Sequence, residues 1–435
     1  MNDTQNMLAS VANVPVLGSN VMSPKEPAQH HGQYDVLVMD AKLRQSLVSV
    51  RSFGQRGMRA AALEIEALAQ AVPTFSSRWC QQSFVAPSFE HTPEIFVQYL
   101  ERLLDTNVVR VLLPSSDGTL AVIRQYRERL GQRVKIALAQ EAALALAINK
   151  DQTLALAEQL GVGVPRSVHV KSVSELPSAL REVGLPVVVK PVESWVWGDD
   201  NQSDRLICKL ATTLEEAQQA VEALTLLGGT VLVQQFLSGE RESVSLLYAD
   251  GEIYARFAQW ARRMQPPLGG TSVYRQSIAV PQDIGEQAER LVRAIDLEGY
   301  CEVEFRRDAA GKACLMEINP RLSASVEVAV RAGVDFPYLL FQWASGERID
   351  RIANYSTGGW MRYLQGDFLT TMQCVIQRGR PGVASPARAM LDFATAFFIP
   401  SGYDYFDWKD LHPGFTATRD FCRTVRRRLY HSSRR

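Results

Sequence analysis

The sequence predicts an α/β fold built from two unlike parts. Three observations carry that prediction. Between residues 34 and 140, short apolar runs alternate with helix-like segments; from about residue 141, paired strands take over; and residues 301–308 and 314–319 are two runs of alternating face flanking AAGK.

Residues 1–33 are polar, mixed and aperiodic, and are expected to form a disordered tail. YDVLVMD, residues 34–40, is a short strand run, and the helix-like segment after it ends near Gly57. VVRVLLP, residues 108–114, is another strand; SSDGTLAVIRQYRERLG then reads as a helix opened by Ser115, Ser116 or Asp117 and closed by Gly131. VKIALA follows as a further strand. Such alternation implies a parallel sheet, whose ligands gather at the carboxyl ends of the strands. The chain has no GxGxxG, so a dinucleotide site is not supported.

NKDQTLALAEQLGVGVPRS, residues 149–167, is an amphipathic helix with Lys150 at its opening, Leu154, Ala157 and Leu160 on one face, and Gly161 and Pro165 as terminators. GLPVVVKP is a strand that delivers Lys190 at its end, and a polar loop with one glycine runs on to Asp204. An unpaired ammonium ending a buried strand is costly without an anionic partner, which favours a functional Lys190. Residues 231–257 read as strand, connection, strand, turn at Asp250-Gly251, strand. ARRMQPPLGGTS, residues 261–272, has the Pro and Gly content of a loop and carries Arg262 and Arg263, as fit for solubility as for a site. A helix with Ile284, Ala288, Leu291 and Ile295 on one stripe leads into the last hairpin.

In that hairpin, CEVEFRRD sets Glu302, Glu304 and Arg306 on one face and Val303 and Phe305 on the other. CLMEINPRLSAS sets Leu315, Glu317 and Asn319 on one face and Cys314, Met316 and Ile318 on the other. A two-residue loop at Ala310-Gly311 would place Glu304 across from Glu317 and Glu302 across from Asn319. Facing carboxylates repel or raise one another's pKa, and a hard cation with oxygen ligands, Mg²⁺, removes that penalty while keeping positions for phosphates. Pro320 ends the strand where Arg321 would point into the same site.

Composition is permissive. The 435 residues have room for two or three domains, and 46% hydrophobic with 22% charged is ordinary. Forty-seven basic residues balance forty-seven acidic ones, so nucleic acid is not an expected partner. Six scattered cysteines without CxxC spacing suit free thiols in a reducing compartment. With no membrane-spanning run and no basic flank at the N-terminus, the expected location is the cytoplasm.

This order of elements resembles the ATP-grasp superfamily, over residues 141–348; MEINPR with an upstream VEF is the most specific part and PVVVKP supports it. The resemblance implies an ATP-grasp fold preceded by a small parallel-sheet α/β domain at 34–140, with 349–435 unassigned. It implies that Lys150 and Lys190 reach the ATP phosphates, that Glu304, Glu317 and Asn319 hold Mg²⁺, or Mn²⁺ in its place, and that Arg321 meets the reacting phosphoryl or carboxylate group. QQFLSGERE resembles the adenine hinge, with backbone groups near Gln235, Phe236 and Leu237, and Glu242 or, less well, Glu240 matches the ribose-binding acid. Arg262 or Arg263 is a candidate clamp on the acid or a phosphate. The loop after Lys190, ESWVWGDDNQS, lacks the several glycines usual there, and Trp195 and Trp197 suit a different lid or serve as packing anchors.

The implied activity is an ATP-dependent ligase that activates a small-molecule carboxylate as an acyl phosphate and joins it to an amine. The alternatives are a bicarbonate-activating carboxylase of the biotin carboxylase type and a nucleotide-binding regulatory protein without catalysis. A homo-oligomer is compatible with the resemblance. The basic end RTVRRRLYHSSRR reads as a solvated terminus.

Overall fold

The computed structural model describes residues 31–90, 92–197, 203–380 and 382–432. Most of the expected tail and the tip of the loop after Lys190, residues 198–202, lie outside the described residues.

The first sheet runs β1 (Gln33–Val38), β2 (Ala60–Ile65), β3 (Cys80–Ala86), β4 (Val108–Leu113) and β5 (Lys135–Ile136) in spatial order β3-β2-β1-β4-β5, all parallel. The central strands β2, β1 and β4 carry the buried apolar runs, whereas the edge strands β3 and β5 are partly exposed. The order reverses between β1 and β4, so Asp40, Ser115 and Ser116 meet just past the strand ends, with the Ser116 hydroxyl 2.8 Å from the Asp40 carboxylate. Ser116 caps the helix Asp117–Gln125 and accepts from the Thr119 N–H. The predicted helix to Gly131 is in fact two: Tyr126 leaves helical geometry, and Arg127–Gly131 starts again.

A four-stranded antiparallel sheet follows, β6 (Ser167–Val170), β7 (Val187–Pro191), β10 (Lys209–Ala211) and β11 (Val231–Gln235), in order β10-β7-β11-β6. Val187, Val189, Val231 and Val233 face the helices Leu176–Val183 and Leu214–Gly228 and form their own core. Pairing puts Lys190, Val188, Leu232 and Gln234 on the opposite face. The expected polar loop after Lys190 holds a short antiparallel hairpin, β8 (Trp195–Trp197) with β9 (Ser203–Arg205).

A seven-stranded sheet completes the molecule: β12 (Arg241–Ala249), β13 (Glu252–Gln265), β14 (Thr271–Ile278), β15 (Gly299–Arg307), β16 (Ala313–Asn319), β17 (Trp360–Arg362) and β18 (Ser401–Tyr403), in order β16-β15-β12-β13-β14-β17-β18. The unassigned segment 349–435 thus supplies its last two strands. Arg262 and Arg263 belong to β13 rather than to a loop: residues 261–265 pair with 271–275, and the Pro-Gly composition that suggested a loop is confined to 266–270.

The hairpin register at the carboxylates is as expected, by another route. Glu302 pairs with Asn319 and Glu304 with Glu317, but Phe305 pairs with Leu315, so Met316 is an extra residue in β16. The turn is a three-residue loop at 309–311 with Gly311 at φ +81°, a left-handed conformation glycine adopts freely. Loop and bulge cancel at Glu317 but not before it. Leu315 therefore lies opposite to the predicted face, in the core with Val303, Phe305 and Ile318.

Candidate active site

One face of the seven-stranded sheet looks across at the Lys190 face of the four-stranded one. Across β16-β15-β12-β13, the row Glu317, Glu304, Ser243, Gln259 shares that face, with Asn319 and Glu302 in the next row. Asn319 bridges the acids: its amide nitrogen is 3.3 Å from Glu304 Oε1 and 3.4 Å from Glu317 Oε1. Glu304 is buried and Glu317 half-buried, and they titrate in opposite directions. Burial raises the Glu304 carboxyl, which the nearby Arg241 opposes and Glu317 and Glu302 reinforce. For Glu317 the burial penalty is outweighed by Lys150, Lys190 and Arg241, which hold its carboxyl below the usual range.

Lys190 and Lys150 are buried at 7% and 6% exposure, so each ammonium has left bulk water. Lys150 Nζ donates to Ser194 Oγ at 3.0 Å, and its backbone N–H to Val192 O, tying the helix Lys150–Gln159 to the segment after β7. Burial pulls the Lys190 ammonium below the ordinary lysine range, against the pull of Cys208, Glu317 and Glu304. Two lysines thus act on one acid of the pair, Glu317.

Arg321 is at the site, as the end of β16 requires, but it also reaches the first domain: Nε and Nη2 contact Asp117 at 2.5 and 3.0 Å in a bidentate pair. Burial disfavours the guanidinium, and Asp117 more than compensates, raising its pKa. The β8–β9 hairpin also docks on the first domain. The rings of Trp195 and Phe89 lie 5.7 Å apart, and a Cβ on Gly118 would stand 3.0 Å from the Trp195 ring.

The hinge residues lie where the strand β11 gives way to β12. The Gln235 and Phe236 N–H groups donate to Arg166 O and Pro186 O, whereas the Leu237 N–H takes no backbone partner among the described residues.

Several predicted residues are not brought to the group. Glu242 pairs with Phe305, on the face away from Glu304, and bonds Arg307 at 2.7 Å; Glu240 is exposed just before β12. Arg262 is exposed at a β13 bulge, 5.8 Å over the Trp360 ring on the far face, and Arg263 is spent on a bidentate pair with Asp367 at 2.6 Å. The side chain of Trp197 lies outside the described ones.

Others were missed. Arg241 forms an ion pair with Glu304 and donates to Gly270 O, and its cross-strand neighbour Arg306 reaches Leu268 O at 3.0 Å and lies 5.0 Å over the Phe236 ring. Burial, then Arg241, lowers Arg306 to about 10. Gln234, fully buried on the Lys190 face, has both amide atoms unpartnered. Its signal was a polar residue inside the apolar run VLVQQ; Arg306 shared the face of Glu304 by alternation, whereas Arg241 gave no signal without the β12–β15 register.

The donor chemistry fits a hard divalent cation: two opposed carboxylate groups and an amide oxygen within one step, one carboxyl held back from ionising by burial and then by its acidic neighbours.

A family model described as "ATP-grasp in the biosynthetic pathway with Ter operon" matches residues 229–366. A carbamoyl phosphate synthase large chain of Methanoculleus marisnigri is 26% identical over 226 residues, 48% of this chain and 20% of that relative. A D-alanine–D-alanine ligase of Chromohalobacter salexigens is 25% identical over 219 residues, 46% of this chain and 65% of that one. The chain thus spans a fifth of the length of the carbamoyl phosphate synthase it matches. Among solved structures, the biotin carboxylase of Campylobacter jejuni superposes with a TM-score of 0.59 at 15% identity, covering 75% of this chain and 74% of its own. The N5-carboxyaminoimidazole synthetase of Staphylococcus aureus gives 0.57 at 14%, covering 81% and 88%.

Proposed function

From a chain that belongs to the ATP-grasp superfamily, we propose an ATP-dependent ligase that activates a small-molecule carboxylate as an acyl phosphate and joins it to an amine, releasing ADP and phosphate. The observation that carries this reading is the acid pair Glu304 and Glu317, bridged by Asn319 and faced by Lys150 and Lys190. Glu304, Glu317 and Asn319 would hold Mg²⁺, or Mn²⁺, which when bound neutralises charge on the ATP phosphates.

The protein's own groups do the positioning. Lys150 and Lys190 hold the phosphates in line; being buried, their charges act in a medium that screens them little. Leu237 offers a free N–H to the base, and Gln234 an unpartnered donor and acceptor from the same face as Lys190. Arg321, fixed by Asp117, meets the transferring group from the side of the first domain. The Trp195 ring, packed against Phe89, would help to exclude water from the acyl phosphate. No covalent nucleophile is needed, because orientation and charge neutralisation suffice for phosphoryl transfer.

In the reaction, a carboxylate oxygen bonds to the γ-phosphorus as the bond to the β-phosphate oxygen breaks and ADP leaves. The amine then adds to the acyl carbon, and phosphate departs with that carboxylate oxygen. ADP release should therefore require a carboxylate, and a carboxylate labelled with heavy oxygen should pass label to inorganic phosphate. Unlabelled phosphate, or AMP as product, would overturn the acyl-phosphate route; dependence on bicarbonate alone would favour a carboxylase.

A further inference from the structure

The helix Pro386–Thr395 turns an apolar stripe to solvent. Met390 and Leu391 are each 57% exposed, Ala394 follows at helical spacing, and Phe397 and Phe398 extend the stripe through the 3₁₀ turn Ala396–Phe398 at 52% and 87% exposure. A core-facing helix would hide such residues, so this face awaits an apolar surface.

Across the helix Leu364–Ile376 from it lies a basic helix, His412–Ser432. Its exposed side chains include Arg419, Arg423, Arg426 and Arg427, whereas its acid, Asp420, is met by Lys42 at 3.5 Å. Ring contacts link the two helices through a third, Leu364–Ile376, which carries Phe368: Phe421 lies 6.0 Å from Phe368, Phe368 6.3 Å from Phe393, and Phe393 5.5 Å from Phe397. In a chain whose charges balance, positive charge is concentrated across that third helix from the apolar stripe.

We propose that this C-terminal face docks on an anionic lipid bilayer, lying in the interface without crossing it. The occupant must be apolar and negatively charged at once. A leaflet with acidic headgroups offers both, the aromatic and aliphatic side chains entering the headgroup boundary and the arginines meeting phosphates. A second copy is a poorer complement, because a twofold contact through this face brings the same unmatched arginines to both sides. Nucleic acid would satisfy the arginines but leave Met390 and Leu391 without a partner. The described helices include none long and apolar enough to cross a membrane, consistent with surface binding.

The test is flotation of the full chain with vesicles of phosphatidylcholine alone or containing phosphatidylglycerol, at low and high salt. The expected result is flotation with the acidic vesicles only, weakened by salt. Replacing Arg423, Arg426 and Arg427 together by Gln should lower partitioning about a hundredfold at low salt, from about a fivefold factor per charge. Leu391→Ser with Phe398→Ser should abolish flotation while leaving thermal unfolding unchanged, since both side chains are already in water. Failure to float on acidic vesicles, equal flotation on neutral ones, or no effect of either set of substitutions would overturn the proposal. So would a dimer in sedimentation that the Leu391→Ser, Phe398→Ser protein no longer forms, which would make the face a contact between copies.

Discussion

Glu317 is a half-buried acid that stays ionised because Lys150, Lys190 and Arg241 outweigh its burial. Glu317→Gln keeps the shape and removes the charge, so turnover should fall about 10²-fold or more, and the unfolding temperature should fall as well because Lys150 and Lys190 lose their acid. Wild-type turnover in that variant would remove the acid from the cation site. Glu64 illustrates the reverse case in the first domain. Burial, then the Asp40 charge, pushes its carboxyl up to about 7, against about 4.3 for an unfolded glutamate. A raised folded value means that its contribution to stability is full below about pH 4.3 and is lost as the pH rises through about 7. The unfolding temperature of Glu64→Gln, relative to wild type, should therefore climb between about pH 5 and about pH 8, by the equivalent of roughly 2 kcal/mol. A difference that does not change with pH would show that Glu64 has no such linkage.

At the scale of the element, what the sequence made legible was local. The opposition of Glu304 and Glu317 follows from a short hairpin whose period-two pattern is plain, and the helix Gln282–Ile295 from one continuous stripe. Lys190 was legible because a lysine ending an apolar strand is costly. The bulge at Met316 left no mark in composition, and Arg241 could be placed over Glu304 only by knowing that β12 lies beside β15. The three-residue strands β17 and β18 are too short to show any period. The bulge makes its own prediction. Deleting Met316 removes the extra residue, so that Phe305–Leu315 and Glu304–Glu317 become successive pairs of a regular ladder, with Leu315 still in the core and Glu317 and Asn319 still at the site. The variant should therefore keep an unfolding temperature close to that of wild type and its stabilisation by ATP. Loss of the ATP stabilisation in the deletion protein would show that the bulge itself sets the geometry of Glu317.

Across the whole molecule, the C-terminal segment fastens the first domain to the large sheet. Asp404, just past β18, accepts from Arg44 of the first domain at 3.2 Å and from Arg275 of β14 at 3.0 Å, all three being buried. Asp410 repeats the device, accepting from Arg51 at 3.0 Å and from the Ser77 hydroxyl at 2.7 Å. Burial disfavours the Asp404 carboxylate, but Arg275 and Arg44 outweigh it and hold its pKa below the usual range. With a depressed folded value, its contribution is present above the unfolded pKa of about 3.9 and is lost as the pH falls through the folded one. Asp404→Asn would leave two buried guanidinium groups facing a neutral amide, a defect of about 3–5 kcal/mol. Because Arg44 lies on the helix beside the parallel sheet and Arg275 on the seven-stranded sheet, the defect belongs to their junction. Wild type should unfold in one transition, whereas Asp404→Asn should unfold at lower temperature with the first domain separating as its own step, read by calorimetry at neutral pH. Restoring a single, wild-type transition by adding Arg44→Met, which removes one of the stranded charges, would assign the defect to the unmet guanidinium rather than to the tie. If Asp404→Asn alone melts at the wild-type temperature, the buried cluster holds nothing together, and the first domain is fastened by its apolar contacts alone.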